Sequence, residues 1–349
     1  MTTSYDMISR DRLASLLEDF ARLKIGLVGD LFLDRYLEIE PDVQEFSIET
    51  GLEAFQVTRI RNQPGALGTV MSNLADLGVG KLMPVTVIGD DGHGLDLLRS
   101  LEALPLATHS ILQHPNRLTP TYTKPVRPGP GGEVHELNRL DVRDRSGLPN
   151  DAERHVVEQL KQLFVEADGI VVLDQVSEAN WGVVNQEVRS ALRQLCEQYP
   201  AKLVLVDSRA HLRAFSCGVL KCNESELRSA LPNEVDLDDA LRQIHAKTKL
   251  PVFCTQGAAG IRIALEPALV KQVAGCPVDG PVDIVGAGDS ATAGLIASLL
   301  AGASPVEAAI IANLVASVTV QKLGTTGTAT ATEVLSRHAA LYEKRDAGR

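Results

Sequence analysis

Cysteine is scarce. Cys196, Cys217, Cys222, Cys254 and Cys276 are the only five, none stands in a C-x-x-C pair, and the number is odd. A disulfide framework and a zinc site are both disfavoured; the five read as reduced core thiols of a cytoplasmic protein. Positive charge is also short. With 34 Lys and Arg against 45 Asp and Glu, the formal net charge is −11, the reverse of what a nucleic-acid partner selects. An anionic small substrate would need a local basic pocket. Long apolar runs are missing as well. Met1–Arg22 is charged and amphipathic without a signal-peptide core. The longest apolar stretch, Ala291–Gly302, falls short of a membrane span and reads as a buried helix. No membrane partner is expected. There is no internal repeat and no long low-complexity tract.

What is present is enough apolar material, 44% of 349 residues, for one large α/β domain over residues 1–349. Apolar runs bounded by turn residues alternate with helical periodicity, the pattern of a mostly parallel sheet flanked by helices. Lys24–Val28, Leu82–Ile88, Gly169–Leu173, Lys202–Val206 and Val252–Cys254 read as buried strands. Leu67–Leu77, Gly94–Leu104, Ala152–Glu166, Gly182–Gln198, Glu224–Leu231, Leu237–Lys247, Asp289–Leu300 and Pro305–Gln321 read as helices. Two regions break the alternation, 31–60 and 118–141. Their polar-interspersed segments, such as Glu53–Ile60 and Tyr122–Arg127, suit half-exposed strands and predict a small inserted β lid. Pro128–Gly132 is a turn at its edge or a loop without function. Glu343–Arg349 reads as a frayed tail.

The chemistry concentrates in Asp283-Ile-Val-Gly-Ala-Gly-Asp-Ser290, which runs straight into the stretch Ala291–Leu300. The glycines let the backbone turn tightly and present successive N–H groups on one concave face. The helix that follows adds its own unpaired N–H groups and positive dipole end. This describes an anion cradle with Asp289 at its mouth, placed to take a proton from an attacking hydroxyl. Gly286, Gly288 and Ala291 also fit a relaxed dinucleotide-binding fingerprint. That fingerprint follows the first strand of its domain, whereas this one stands near the end of the chain.

The segment resembles the (D/N)-x-x-G-A-G-D signature of the PfkB/ribokinase family of carbohydrate kinases. The resemblance implies a ribokinase-like α/β fold, Asp289 as catalytic base, and Gly286, Ala287 and Gly288 as amide donors to the transferring phosphoryl group. Other segments match in the family's order, from about Leu16 to Leu335. Lys24–Tyr36 resembles the first strand of the sugar kinases, in particular the G-D-x-x-L-D-R-Y of the heptose-7-phosphate kinase domain. It is expected to end at Gly29 and deliver Asp30 and Asp34 to the carboxyl edge of the sheet, where ligands bind in open α/β folds. There Asp34 would accept hydrogen bonds from sugar hydroxyls. Pro64–Gly78 lies where the family carries G-G-x-x-x-N: Gly65 is kept, the second glycine is Ala66, and the substrate-contacting asparagine is Thr69. Gly89, Asp90 and Gly94 match a helix-capping turn.

Lys221-Cys-Asn-Glu-Ser-Glu226 matches N-x-x-E. Asn223 and Glu226 would hold the water shell of Mg²⁺ near the nucleotide phosphates, and a helix cap with a first-turn acid explains the same letters. Thr255-Gln-Gly-Ala-Ala-Gly260 resembles T-x-G-x-x-G, implying that Thr255, Gly257 and Gly260 touch the nucleotide. Asn313 and the loop Lys322–Gly327 match segments that line the adenine pocket; Asn313 reads equally as a satisfied helix-surface amide.

The expected protein is therefore an ATP- and Mg²⁺-dependent kinase of a sugar or sugar phosphate, a monovalent cation being a further candidate cofactor. A stand-alone cytoplasmic kinase, homodimeric through the lid, is the implied architecture. Lys124, Arg127, Arg139 and Arg59 are the lid cations offered to a phosphorylated substrate. A nucleoside or free-ketose kinase, or a nucleotide-binding protein with lost or redirected activity, is the alternative that Ala66 and Thr69 keep open.

Overall fold

In a strand buried on both sides successive side chains feed two separate cores. Strand β9 (Gly169–Asp174) shows this directly: Val171 and Leu173 join one apolar cluster, and Ile170 and Val172 the other. The computed structural model, which describes residues 8–40, 43–107, 110–129, 134–231 and 236–347, builds on this a nine-stranded sheet. Its parallel members are β1 (Lys24–Gly29), β4 (Lys81–Gly89), β5 (Ile111–His114), β9, β10 (Leu203–Ser208), β11 (Val219–Asn223) and β12 (Val252–Thr255). Antiparallel β13 (Gly260–Glu266) and β14 (Leu269–Ala274) close one edge, giving the order β14-β13-β12-β11-β10-β9-β1-β4-β5.

One face is covered by α1 (Arg10–Asp19), α2 (Leu67–Asp76), α8 (Ala287–Leu300), α9 (Pro305–Thr319) and α10 (Ala331–Ala347). The other carries α4 (Asn150–Glu166), α5 (Gln186–Gln198) and α7 (Leu237–Thr248). α3 (Gly92–Leu101) and the short α6 (Glu224–Ser229) complete the set. α8 has no polar face, and every residue from Ser290 to Ser298 is buried. Its small side chains are explained by α9: a Cβ at Gly294 would stand 3.0 Å from the Ala312 backbone. No helix among the described residues is long and apolar enough to cross a membrane.

The lid is a second sheet. β2 (Leu31–Ile39) pairs antiparallel with β3 (Val57–Ala66) and parallel with β6 (Thr121–Pro128), which takes β7 (Val134–Glu136) and β8 (Leu140–Val142) antiparallel. Strands therefore fall in both expected regions, but β3 starts at Val57 rather than Glu53 and runs to Ala66, past the expected boundary at residue 60. Of the Pro128–Gly132 turn, Pro130, Gly131 and Gly132 lie outside the described residues.

Several boundaries differ from the sequence reading. α5 starts at Gln186, not Gly182, because Asn185 caps it and the Val183 N–H is drawn to the Asp30 carboxylate. Asp91, not Asp90, caps α3. The tail expected to fray from Glu343 is helical through Ala347, and Gly348 and Arg349 are outside the described residues. β11, β13, β14, α1 and α10 were not resolved as elements by periodicity.

The β3–α2 junction carries a local conflict. Ala66 has φ 52° and ψ −113°, a conformation that glycine adopts freely and alanine does not. Ala66→Gly is expected to stabilise the protein by about 1 kcal/mol, measured as a higher denaturant midpoint at unchanged slope. A lower midpoint would mean that the alanine methyl contributes more by packing than its backbone costs.

Candidate active site

The loop before α8 is shaped as expected. Gly286 sits at φ 78° and caps the helix, with a Cβ there standing 2.5 Å from the Thr326 methyl and 3.2 Å from the Thr69 methyl. Asp283 staples the loop, accepting from the Val285 N–H at 3.1 Å and the Gly324 N–H at 3.2 Å. The Ala287 N–H is spent on the Ile284 carbonyl at 3.2 Å. The amides left open at the mouth are therefore those of Gly286, Gly288 and Asp289, not the expected trio.

Asp289 is half-buried in the first turn of α8. Withdrawal from bulk water pushes its carboxyl up to about 7, the Asp207 charge adds to the shift, and Lys221 and Arg209 oppose it. Beneath it lies a pair to which the sequence reading gave no role. Lys221 of β11 and Asp207 at the end of β10 are both buried and 2.7 Å apart. Thr292 of α8 donates to the same Asp207 oxygen at 2.8 Å. Burial pulls the Lys221 pKa down, but Asp207, Glu226 and Asp289 outweigh it and hold the ammonium charged. Its Nζ lies 3.3 Å from where a Gly288 Cβ would be, directly under the cradle.

Asn223 and Glu226 form a reciprocal cap on α6: Glu226 N–H to Asn223 Oδ1 at 2.8 Å, Asn223 N–H to Glu226 Oε2 at 2.7 Å. The structural explanation of these letters therefore holds. It uses only one Glu226 oxygen. Burial and then Asp207 raise the Glu226 pKa, with Lys221 opposing. That leaves a carboxylate oxygen beside Lys221 for a hydrated cation, and Mg²⁺ commonly takes one or two carboxylates with phosphates and waters supplying the rest.

On the acceptor side, Asp34 lies in the lid strand β2 rather than on the turn after β1, only 7% exposed and 3.1 Å from Lys124 Nζ. Gly65 makes room for it, since a Cβ there would meet Asp34 Oδ2 at 2.8 Å. Asp30 has a different task. Its carboxylate accepts the N–H groups of Gln175, Val176 and Val183, and burial followed by the Asp174 charge raises it to about 6. Thr69 is buried, its hydroxyl turned to the Pro64 carbonyl at 3.4 Å and its methyl to the cradle.

Thr255 lies beside Asn223 in the β11–β12 ladder and donates to the Cys222 carbonyl at 3.4 Å. Gly257 has open space around its Cα, whereas Gly260 brings the turn hard against β14, a Cβ there meeting the Gly275 nitrogen at 2.3 Å. Asn313 is buried, with its amide hydrogens bound to the Val273 and Ala274 carbonyls, so it clamps α9 to β14. The 322–327 loop reaches the lid through Gln63, which donates to Thr325 Oγ1 at 2.6 Å. The four lid cations are each paired: Lys124 with Asp34, Arg127 with Glu53, Arg139 with Asp141, Arg59 with Glu38.

A parallel sheet whose carboxyl edge converges on a helix-capped anion cradle with a carboxylate at its mouth defines a phosphotransferase of the ribokinase-like class. The chain belongs to the pfkB family of carbohydrate kinases, whose model matches residues 38–332. Among curated proteins it is similar to the bifunctional protein HldE of Trichlorobacter lovleyi, 27% identical over 97% of this chain and 67% of that protein, and of Caulobacter sp., 29% identical over 90% and 63%. The chain spans about two thirds of the length of these relatives. Among solved structures, phosphofructokinase-2 from Escherichia coli superposes with a TM-score of 0.67 at 20% identity, covering 92% of this chain and 100% of that one. Ribokinase from Arabidopsis thaliana gives 0.65 at 19%, covering 90% and 98%.

Removing one member of a buried ion pair leaves the other without counter-charge. Lys221→Met is expected to cost roughly 3–5 kcal/mol of stability, and adding Asp207→Asn to restore most of it. Chemical unfolding of the two variants checks this; equal losses in both would mean the pair is not the coupled unit described.

Proposed function

We propose that the protein transfers a phosphoryl group from ATP to a hydroxyl of a sugar or sugar phosphate, with Asp289 as the base. The observation that carries the reading is the placement of Asp289: beside the open amides of Gly286 and Gly288, above Lys221, with a carboxyl held up to about 7. A base of that strength still accepts a proton at neutral pH and is matched to a hydroxyl that acidifies as it attacks. The amides and Lys221 are fixed before the reaction begins, so they stabilise developing charge without reorganisation. Asp34 orients the acceptor from the lid side. Mg²⁺ bound near the free Glu226 oxygen would neutralise phosphate charge. Thr255 and Gly257, at the β12 turn, are assigned to the nucleotide.

The lid supports a second part of the proposal, a homodimer. Its loop and β3 expose Phe46, Leu52, Ile60 and, at 99%, Ile48, an apolar patch on a sheet with open edges. A second copy of the lid would cover both. Light scattering at micromolar concentration should give the dimer mass and Ile48→Asp the monomer; a monomeric wild type would remove this part of the reading.

For the base, Asp289→Asn should lower turnover by about two to four orders of magnitude while ATP affinity, read by calorimetry, stays close to wild type. In the unsubstituted protein kcat/KM should fall as pH drops through about 7, where Asp289 takes up its proton. A pH-independent rate between 5 and 8 would assign the proton transfer to another group.

A further inference from the structure

Cys196 and Cys217 stand in no sequence motif, yet the fold brings them together. Arg189, Arg193 and Cys196 follow one another at i, i+4 and i+7 along α5 and so form one stripe on its surface. The segment between β10 and β11 packs against that stripe. Arg189 and Arg193 line a solvent-open cleft of about 780 Å³ together with Phe215, Ser216 and Cys217. The Cys196 thiol donates a hydrogen bond to the Cys217 sulfur, and both residues are half-buried over the same apolar cluster. The segment is anchored beside the helix: Leu212 and Phe215 are buried, the Ala214 N–H donates to the His211 carbonyl at 2.7 Å, and the Lys247 ammonium donates to the Arg213 carbonyl.

The two thiols are unlike. Cys217 lines the cleft and Cys196 does not. The hydrogen bond from Cys196 holds the Cys217 pKa down, with Arg193 assisting against burial and the Glu197 charge. The same bond, with burial, pushes Cys196 up. Cys217 is thus the thiolate of the pair and Cys196 keeps the proton. Arg193 is exposed and has no carboxylate within ion-pair distance among the described residues, whereas Arg189 spends Nη1 and Nη2 on the Val184 carbonyl and Asn180 Oδ1. The other cysteines lack this setting. Cys222 and Cys254 are buried at paired positions of β11 and β12, and burial pushes the Cys276 thiol up to about 11.

We propose that Cys217 and Cys196 form a thiol–disulfide exchange site, with Cys217 as the attacking thiol, Cys196 as the resolving thiol, and the arginine-lined cleft seating a small disulfide that carries carboxylates, of the class of glutathione disulfide. The Cys217 thiolate attacks one sulfur of the small disulfide, whose S–S bond breaks and releases one small thiolate. Cys196 then gives up its proton and attacks the Cys217 sulfur of the mixed disulfide, releasing the second. Two protein thiols are oxidised, one small disulfide is reduced to two thiols, and the protons of Cys217 and Cys196 end on the released pair. The resolving sulfur is already in contact with its target, so the second step is intramolecular and needs no search. Arg193 serves the first step twice, by favouring the thiolate and by drawing an anionic reagent into the cleft. The site lies on the α5 side of the sheet, opposite α8, and the inference stands apart from the reading of Asp289. The bond ties α5 to the segment entering β11, the strand that carries Lys221.

The fully reduced protein, freed of reductant, is mixed with glutathione disulfide at neutral pH, quenched with N-ethylmaleimide, and read by intact mass and peptide mapping. The wild type should lose two of its five thiols to one Cys196–Cys217 bridge and retain no glutathione. Cys196→Ser should stop at a single glutathione held on Cys217, and Cys217→Ser should react roughly tenfold more slowly at Cys196. Arg193→Gln should slow the reaction by about threefold with glutathione disulfide, and by less with cystamine, a cationic disulfide. Five intact thiols, a bridge between any other pair, or glutathione retained on wild-type Cys217 would each overturn the inference, and so would Cys217→Ser reacting as fast as wild type. Equal slowing of Arg193→Gln with both reagents would overturn the role given to the cleft. The wild-type map decides even where a variant does not fold.

Discussion

The buried Lys221–Asp207 pair is the contact on which the site depends. Two charges have been taken out of water, a cost that mutual attraction alone often fails to recover, and a third group, the Thr292 hydroxyl, has been added to complete the carboxylate. The pair joins the neighbouring strands β10 and β11 and, through Thr292, ties both to α8, 85 residues beyond Asp207. Without it the cradle helix would rest on the sheet through apolar side chains, Leu295 and Ile296 among them, with no directional contact to the sheet below its first turns. With it, the first turn of α8 has one azimuth, and the Gly288 amide stands over an ammonium group.

The lid obeys a different logic. Its cations are matched locally by its own acids, so its inner face is close to neutral. Asp34 is held there by the Lys124 ammonium at 3.1 Å, in room left by the absence of a side chain at Gly65. That makes the acceptor side sensitive to steric change as well as to charge. Thr69 illustrates the steric part. Where the family pattern has an asparagine, it is a packing residue whose methyl faces Gly286.

Much of this was legible in the sequence for physical reasons. Parallel strands buried on both faces are continuous apolar runs, and a cradle needs glycines at fixed offsets, so five strands, the lid regions and the Asp283–Ser290 loop could be placed. Asp207 and Lys221 could not. Each is a single charged letter inside a mostly apolar strand, and only the adjacency of β10 and β11 turns them into a pair. The one available signal was position, since Asp207 stands one residue before the carboxyl end of its strand, close to where Asp174 ends β9. Asn313 failed in the opposite sense: a motif letter with a ligand-binding look is consumed by two backbone carbonyls.

The order of the strands has a consequence for how the molecule is made. Every lid strand lies between residues 31 and 142, and β1 can pair with β4 as soon as the first ninety or so residues exist. The other partner of β1 is β9, and α8 follows more than a hundred residues later still. During synthesis the chain must therefore carry a finished lid over a half-built sheet with one flank of its first strand unpaired. The surface that awaits β9 is the apolar centre of the final sheet. The interval of greatest exposure to aggregation is thus set by the topology, and the chemistry arrives only with the last quarter of the nascent chain.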